Sequence, residues 1–232
     1  FVLMNAEGKK IPSVEEVKFA PADKWIISRL QNCIREVTTN LGKYELGMAS
    51  ELATDFVWDD FCDWYIELSK PALYGEDEER KLSALSVLCF VLENALKLLH
   101  PFIPFVTEEI YRNLPGTEGS IMLSSFPRYN SRMAYKKEAK AFEGVMEIIK
   151  VVRAMKKAAD CPPSRKVELY LVTESKRLIQ QNKDSIMKLS GAAAVKFAES
   201  VSAIEGKTVS QVTEIAQIYI CLLYTSDAAD DL

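Results

Sequence analysis

Scarcity narrows the reading of this 232-residue chain before anything else does. It has one histidine, His100, beside Pro101, where it reads as a helix-end residue rather than a general base. No Ser/His/Asp or Cys/His set can be assembled convincingly, and an imidazole-based metal site lacks its second ligand. Five cysteines stand at 33, 62, 89, 161 and 221, with no Cys-x-x-Cys pair among them. That spacing argues against a zinc site. With Cys33, Cys62 and Cys89 on apolar helical positions, it predicts small core thiols in a reducing compartment. The nine glycines are scattered, and no Gly-rich phosphate loop of either common type occurs. An apolar run such as Val87 to Leu92 is far too short to span a bilayer, and nothing at the N-terminus reads as a signal peptide. Phe1 is not a start methionine, so a cytoplasmic fragment of something longer is expected, with no membrane partner. Internal repeats and low-complexity tracts are lacking as well.

Charge is present but unevenly spread. The net charge of −4 combines −8 over residues 1–127, +7 over 128–177 and −3 over 178–232. A positive block on an acidic chain is a candidate surface for a polyanion. The plainer alternative is a solvated lysine face.

What the chain has in quantity is helical periodicity. The stretch Asp55 to Leu68 carries two of the three tryptophans, four aspartates and a dense aromatic stripe. At α-helical spacing, Leu52, Phe56, Phe61, Trp64, Tyr65 and Leu68 crowd one broad face, and Asp59, Asp63 and Glu67 line another. This predicts a helix over 46–69, stopped by Pro71, as the central member of a bundle. Trp58 and Trp64 are expected in the core rather than as base-stacking residues. The acid series is expected as a solvated face or as partners of Arg29 and Arg35, in preference to a cation site or acid–base chemistry.

Around that stretch the periodicity continues. Residues 1–22 are expected to be extended. Asp23 is expected to cap a helix carrying Ile26, Leu30, Cys33, Ile34, Val37 and Leu41, ended by Gly42. A third helix is predicted over 78–99. Two prolines then force an extended corner at 101–104, and a short helix follows from Pro104 or Thr107 to Leu114. After a loop over 116–132, a fifth helix is predicted over 134–159, with Lys150, Arg153 and Lys157 sharing a face. Pro162-Pro163 breaks the chain. A strand at 166–172, a helix at 175–189 and strands at 194–197 and 214–220 complete the pattern.

The fold expected is mainly α, an antiparallel helical bundle followed by a small α/β appendage leaning on the fifth helix. The divisions are a lead-in segment at 1–21, the bundle at 22–127, a long basic helix with an α/β linker at 128–220, and a tail at 221–232. That tail resembles the translation of a sequencing adapter and is set aside as non-native. Taken alone, the residues describe a non-catalytic helical module with a basic patch.

Particular words in the sequence go further. Ala22-Asp-Lys-Trp-Ile-Ile-Ser-Arg-Leu30 is followed by Trp58-Asp-Asp-Phe-Cys-Asp-Trp-Tyr-Ile-Glu67 with Lys70-Pro71. Then come His100-Pro-Phe-Ile-Pro-Phe-Val-Thr-Glu-Glu-Ile110 and Ile121-Met-Leu-Ser-Ser-Phe-Pro127. In this order they resemble the valyl-tRNA synthetase family, class I aminoacyl-tRNA synthetases, over about residues 1–220. The histidine-proline corner fits the broader group for Val, Ile, Leu and Met, and Phe-Cys-Asp-Trp-Tyr selects valine.

The resemblance implies an anticodon-binding bundle of the class I synthetase type and, as partner, a valine-accepting tRNA. It implies a monomeric parent that uses ATP in a catalytic domain. Neither of that domain's nucleotide signatures, nor the editing domain, is in this sequence, so no cofactor and no catalysis are expected of the fragment itself. The binding candidates are Arg29, Arg35, Lys43 and Tyr44 on the first helix and the loop after it, with Lys150, Arg153, Lys156 and Lys157 on the fifth helix. They are chosen on charge and position. Two alternatives stand beside this reading: the corresponding region of a sister synthetase such as the isoleucine enzyme, and a helical protein-interaction domain.

Overall fold

The computed structural model describes residues 1–162, 165–199 and 208–221, so Pro163 and the tail beyond Cys221 lie outside the described residues. The chain forms two compact units, Phe1–Lys140 and Ala141–Leu232.

The first unit is helical. Its lead-in is not extended throughout: Val2–Ala6 forms a short helix, α1, whose two ends Val2 and Ala6 are buried against α5 (Glu78–Leu99). Helix α2 (Pro21–Gly42) starts on a proline, whose fixed φ suits the first helical position. Asp23 is therefore not the capping residue. It sits in the first turn and accepts the Ala20 N–H at 2.8 Å.

Trp25, Ile26, Ile27, Leu30, Ile34 and Val37 are all buried on α2. Burial on adjacent positions such as 25, 26 and 27 means contact on more than one side. Helix α2 packs against α3 (Leu46–Asp55), the Phe56–Ile66 segment, α5 and the turn at Ser131–Met133. It takes the central place that the sequence suggested for the aromatic-acidic stretch.

That stretch differs in its winding. Helix α3 runs without a break into Phe56–Ile66, an 11-residue π-helix, and on into α4 (Glu67–Leu73). The residues it buries are Phe56, Phe61 and Tyr65. At about 100° per residue, a five-residue step from Phe56 to Phe61 would land roughly 140° away. Winding by i→i+5 hydrogen bonds brings steps of five and four back to one side. The same change carries Trp58 out of the core, where it is 65% exposed, and leaves Trp64 half-buried. Pro71 does not stop the helix; it lies inside α4. Proline removes a backbone donor, and the Ser69 hydroxyl supplies one nearby by donating to the Ile66 carbonyl at 2.8 Å.

A buried polar knot ties three of these elements together. Asp23, fully buried, accepts the Tyr65 hydroxyl at 2.7 Å and an Arg80 N–H at 3.1 Å, and Arg80 Nη1 lies 2.8 Å from its second oxygen. Helix α5 is capped by Asp77, which accepts the Arg80 N–H at 3.0 Å. Its bounds are those the periodicity predicted. By length and composition α5 could cross a membrane, but 61% of that window is buried inside the protein, as in a core helix.

At the proline corner His100 follows α5 directly. Its Nδ1 lies 2.7 Å from Thr107 Oγ1 on α6 (Pro104–Arg112). Glu108 accepts the Ser120 hydroxyl and the Ile121 N–H at 3.0 and 3.1 Å, which brings Ile121 onto Leu96 and Tyr111. The segment after Phe126 is strapped to α2. The Asn130 N–H donates to buried Gln31 at 2.7 Å, and the Ser28 hydroxyl donates to the Ala134 carbonyl.

From Ala141 onward helix α7 (Lys136–Ala158) belongs to the second unit, where it buries Phe142, Val145, Ile148, Ile149 and Val152. With it are β1 (Val167–Val172), α8 (Lys176–Gln181), α9 (Lys183–Ser190), β2 (Ala192–Phe197), β3 (Thr208–Val212) and β4 (Gln217–Cys221). The sheet order is β2-β1-β4-β3, with β1 and β2 parallel and the other pairs antiparallel. The single helix predicted over 175–189 is two. They meet at buried Asn182, whose side chain donates to the Leu178 carbonyl at 2.8 Å. Strand β3 has no counterpart in the sequence reading. It is an edge strand with Val209 and Val212 exposed, so no burial pattern marks it. Gly144 on α7 is closely approached: a Cβ there would meet Ile215 side-chain atoms at 2.9 to 3.1 Å.

Candidate functional site

Four of the residues singled out by charge and position lie in the first unit and four in the second. In the first, Arg29 and Arg35 are on α2. Arg29 Nε donates to Asp60 Oδ2 at 2.8 Å, from α2 to the π-helix. The sequence placed its carboxylate partners at Asp59, Asp63 and Glu67. Rewinding the helix presents Asp60 instead. The pair borders a cleft of about 320 Å³ whose polar lining is Arg29, Asn32, Glu36, Asp55, Asp59 and Asp60.

Four carboxylates around one guanidinium make this cleft hostile to phosphate and receptive to hydrogen-bond donors. Burial, followed by the nearby charges of Glu36 and Asp60, pushes the Cys33 thiol on its floor up to about 12. That sulfur is an inert packing group. Burial pushes Cys89 to about 11 in the same way.

Arg35 points elsewhere. Its guanidinium stands 5.6 Å over the Tyr129 ring and donates to Asn32 Oδ1 at 3.2 Å. A guanidinium held over an aromatic ring is preorganised for a planar or anionic partner.

The end of α2 has the most unusual backbone of the group. Lys43 follows Gly42 and is exposed, and Tyr44 has φ +61° with its ring 89% exposed. A tyrosine in the left-handed region costs about 1–2 kcal/mol relative to the right-handed one. No burial of the ring offsets that cost. Leu46 and Met48 beside it are 55% and 52% exposed. The α2–α3 turn thus holds an aromatic face, two apolar side chains and a lysine out to solvent. Trp58 is a further exposed aromatic that the sequence assigned to the core. No sequence signal marks it, because the 56, 61, 65 spacing forms a shared side only under π winding.

In the second unit the α7 cations divide by role. Lys150 and Lys157 are exposed. Arg153, also exposed, donates Nε–H to the Leu189 carbonyl at 2.6 Å. Lys156 is turned inward, only 5% exposed, with Nζ 3.4 Å from the Gly191 carbonyl. Both carbonyls belong to the C-terminal end of α9, where positive side chains are favoured. Among the described residues no group of three His, Cys, Asp or Glu side chains is placed to hold a metal ion.

Residues 23–171 match the family model described as the anticodon-binding domain of tRNA ligase. The chain is similar to the valine–tRNA ligase of Clostridium tetani, 40% identical over 234 residues, covering 100% of this chain and 27% of the relative. It is 38% identical over 235 residues to that of Clostridium acetobutylicum, with the same coverages. To that of Listeria monocytogenes it is 38% identical over 230 residues, covering 96% of this chain and 26% of the relative. The chain spans about a quarter of the length of these relatives.

Proposed function

Because the chain belongs to the family of anticodon-binding domains of tRNA ligases, we propose that it binds the anticodon arm of a valine-accepting tRNA as that portion of a valine–tRNA ligase. The observation that carries this reading is the family match over residues 23–171, which spans every candidate residue from Arg29 to Lys157. The similarity to valine–tRNA ligases supports the choice of amino acid. In this reading the chain performs no aminoacylation by itself. Activation of valine with ATP and its transfer belong to the longer, cytoplasmic enzyme.

The geometry supports a division of labour within the first unit. Anticodon bases leave their stack on recognition and need flat surfaces and edge partners. Tyr44 supplies a flat surface, with Lys43 beside it for the backbone. Trp58 supplies another. The carboxylate cleft beside Arg29 accepts hydrogen bonds from exocyclic amino groups of bases and disfavours phosphate, so it suits base edges. Arg35, placed over the Tyr129 ring, takes a phosphate or a base plane.

Base–aromatic stacking contributes about 1–3 kcal/mol per base, so Tyr44→Ala is expected to weaken binding roughly 5- to 150-fold. The test is filter binding of the chain to tRNA transcripts that differ only in the anticodon. Preference for the valine anticodon, reduced in Tyr44→Ala, is the expected result. Equal binding of valine and isoleucine anticodons would transfer the reading to a sister synthetase. No tRNA binding at all would leave a protein-interaction domain.

A further inference from the structure

The second unit contains a cavity of about 720 Å³ between the last turns of α7 and the C-terminal end of α9. Its charged lining is Arg153, Lys156, Lys157 and Lys188 with one carboxylate, Asp160. We propose that this cavity seats a phosphodiester of an RNA backbone, so that the second unit holds RNA independently of which bases the first unit reads. The inference rests on the reading of the chain as a tRNA binder.

Three observations carry it. The cations come from two separate helices and converge on one concavity, which a merely solvated lysine face does not do. Among the described residues that line the cavity, four positive side chains accompany one carboxylate, a lining whose sign suits a tetrahedral oxyanion. Two of the four are also fixed in place. Arg153 is anchored on the Leu189 carbonyl at 2.6 Å, and the Lys156 ammonium lies 3.4 Å from the Gly191 carbonyl. Little side-chain ordering then remains to be done when the anion arrives. Lys157 and Lys188, both exposed, complete the positive lining. The volume exceeds that of a bare phosphate and admits the sugars on either side. Lys188 is the new member of the set, because charge counting along the fifth helix could not reach a residue on α9.

Backbone contacts are insensitive to sequence and sensitive to salt, and this gives the test. The 232-residue chain is titrated with tRNA transcript carrying the valine anticodon at several salt concentrations, alongside Lys157→Gln, Lys188→Gln and the double variant. Each phosphate contact contributes about 0.7–0.9 to the slope of log affinity against log salt. The double variant is expected to flatten the slope by about 0.7–0.9, the share of one phosphate, and to weaken low-salt binding several-fold, equally for transcripts with a replaced anticodon. Both lysines are exposed, so unchanged thermal melting is expected to show that the fold is intact. Lys136→Gln, on α7 but outside the cavity, is the control. An unchanged slope in the double variant, or an equal flattening by Lys136→Gln, overturns the cavity proposal while tRNA binding itself stands. Loss of anticodon preference with the salt effect intact overturns the valine reading and supports the cavity.

Discussion

Tyr65→Phe is the most economical perturbation of the bundle, because it deletes one oxygen from a fully buried site. The Tyr65 hydroxyl donates to Asp23 at 2.7 Å, and neither residue has any exposed surface. Hydrogen bonds to charged groups are worth about 1.5–3 kcal/mol. The low end applies here, since the carboxylate keeps the Ala20 N–H and the Arg80 guanidinium. The expected loss is about 2 kcal/mol, equivalent to roughly 4–8 °C in melting temperature. All three tryptophans lie in the first unit, so their fluorescence in a urea titration reports that unit alone.

The pH dependence sharpens the test. Burial, then the negative charge of Asp23, pushes the Tyr65 phenol well above its ordinary value near 10. The native state therefore keeps a proton that the unfolded chain releases above about pH 10, and the contribution to stability is full below that pH and falls as pH rises beyond it. In Tyr65→Phe this part of the alkaline decline vanishes. A variant with the wild-type urea midpoint and the wild-type alkaline slope would refute the Asp23–Tyr65 account.

Three further outcomes follow from the same structure. Tyr44→Gly is expected to raise stability by about 1 kcal/mol by relieving the left-handed backbone, while tRNA binding weakens; a destabilised variant in a thermal melt would contradict the strain. At pH 8, alkylation followed by mass spectrometry is expected to find Cys33 and Cys89 slow and half-buried Cys62 faster, since burial holds the first two at about 12 and 11. Gly144→Ala is expected to cost about 1–3 kcal/mol through its clash with Ile215, measured in the second unit by hydrogen exchange of β4; unchanged protection there would show that Ile215 yields freely.

Legibility in the sequence tracked how far each signal depends on local geometry alone. Helix α5 was readable to its ends because Asp77 caps it and its leucines recur at α-helical spacing. The winding of Phe56–Ile66 was not, since period analysis presumes the helix type it is meant to detect, and Trp58 was misplaced with it. Asn182 divides α8 from α9 by a side-chain bond to a carbonyl one turn back, which no propensity signals. For the candidate site, Lys43 and Tyr44 were chosen by position after a helix-ending glycine, but the left-handed φ of Tyr44 shows only in the backbone. Lys156 counted as one more positive charge in sequence, whereas its burial depends on α9 folding back toward α7.

The π-wound segment also has a bearing on how this chain tolerates change. Along an ordinary helix, losing one residue rotates everything downstream by a fixed angle, and the packing on both sides must adapt. Over Phe56–Ile66 the backbone already lags behind α-helical phase, so one deletion there moves the helix toward common winding rather than away from it. The deletion would pull Phe56, Phe61 and Tyr65 off their shared side and separate the Tyr65 hydroxyl from Asp23. The segment works as a phase setter between α3 and α4, and its length is as constrained as its composition.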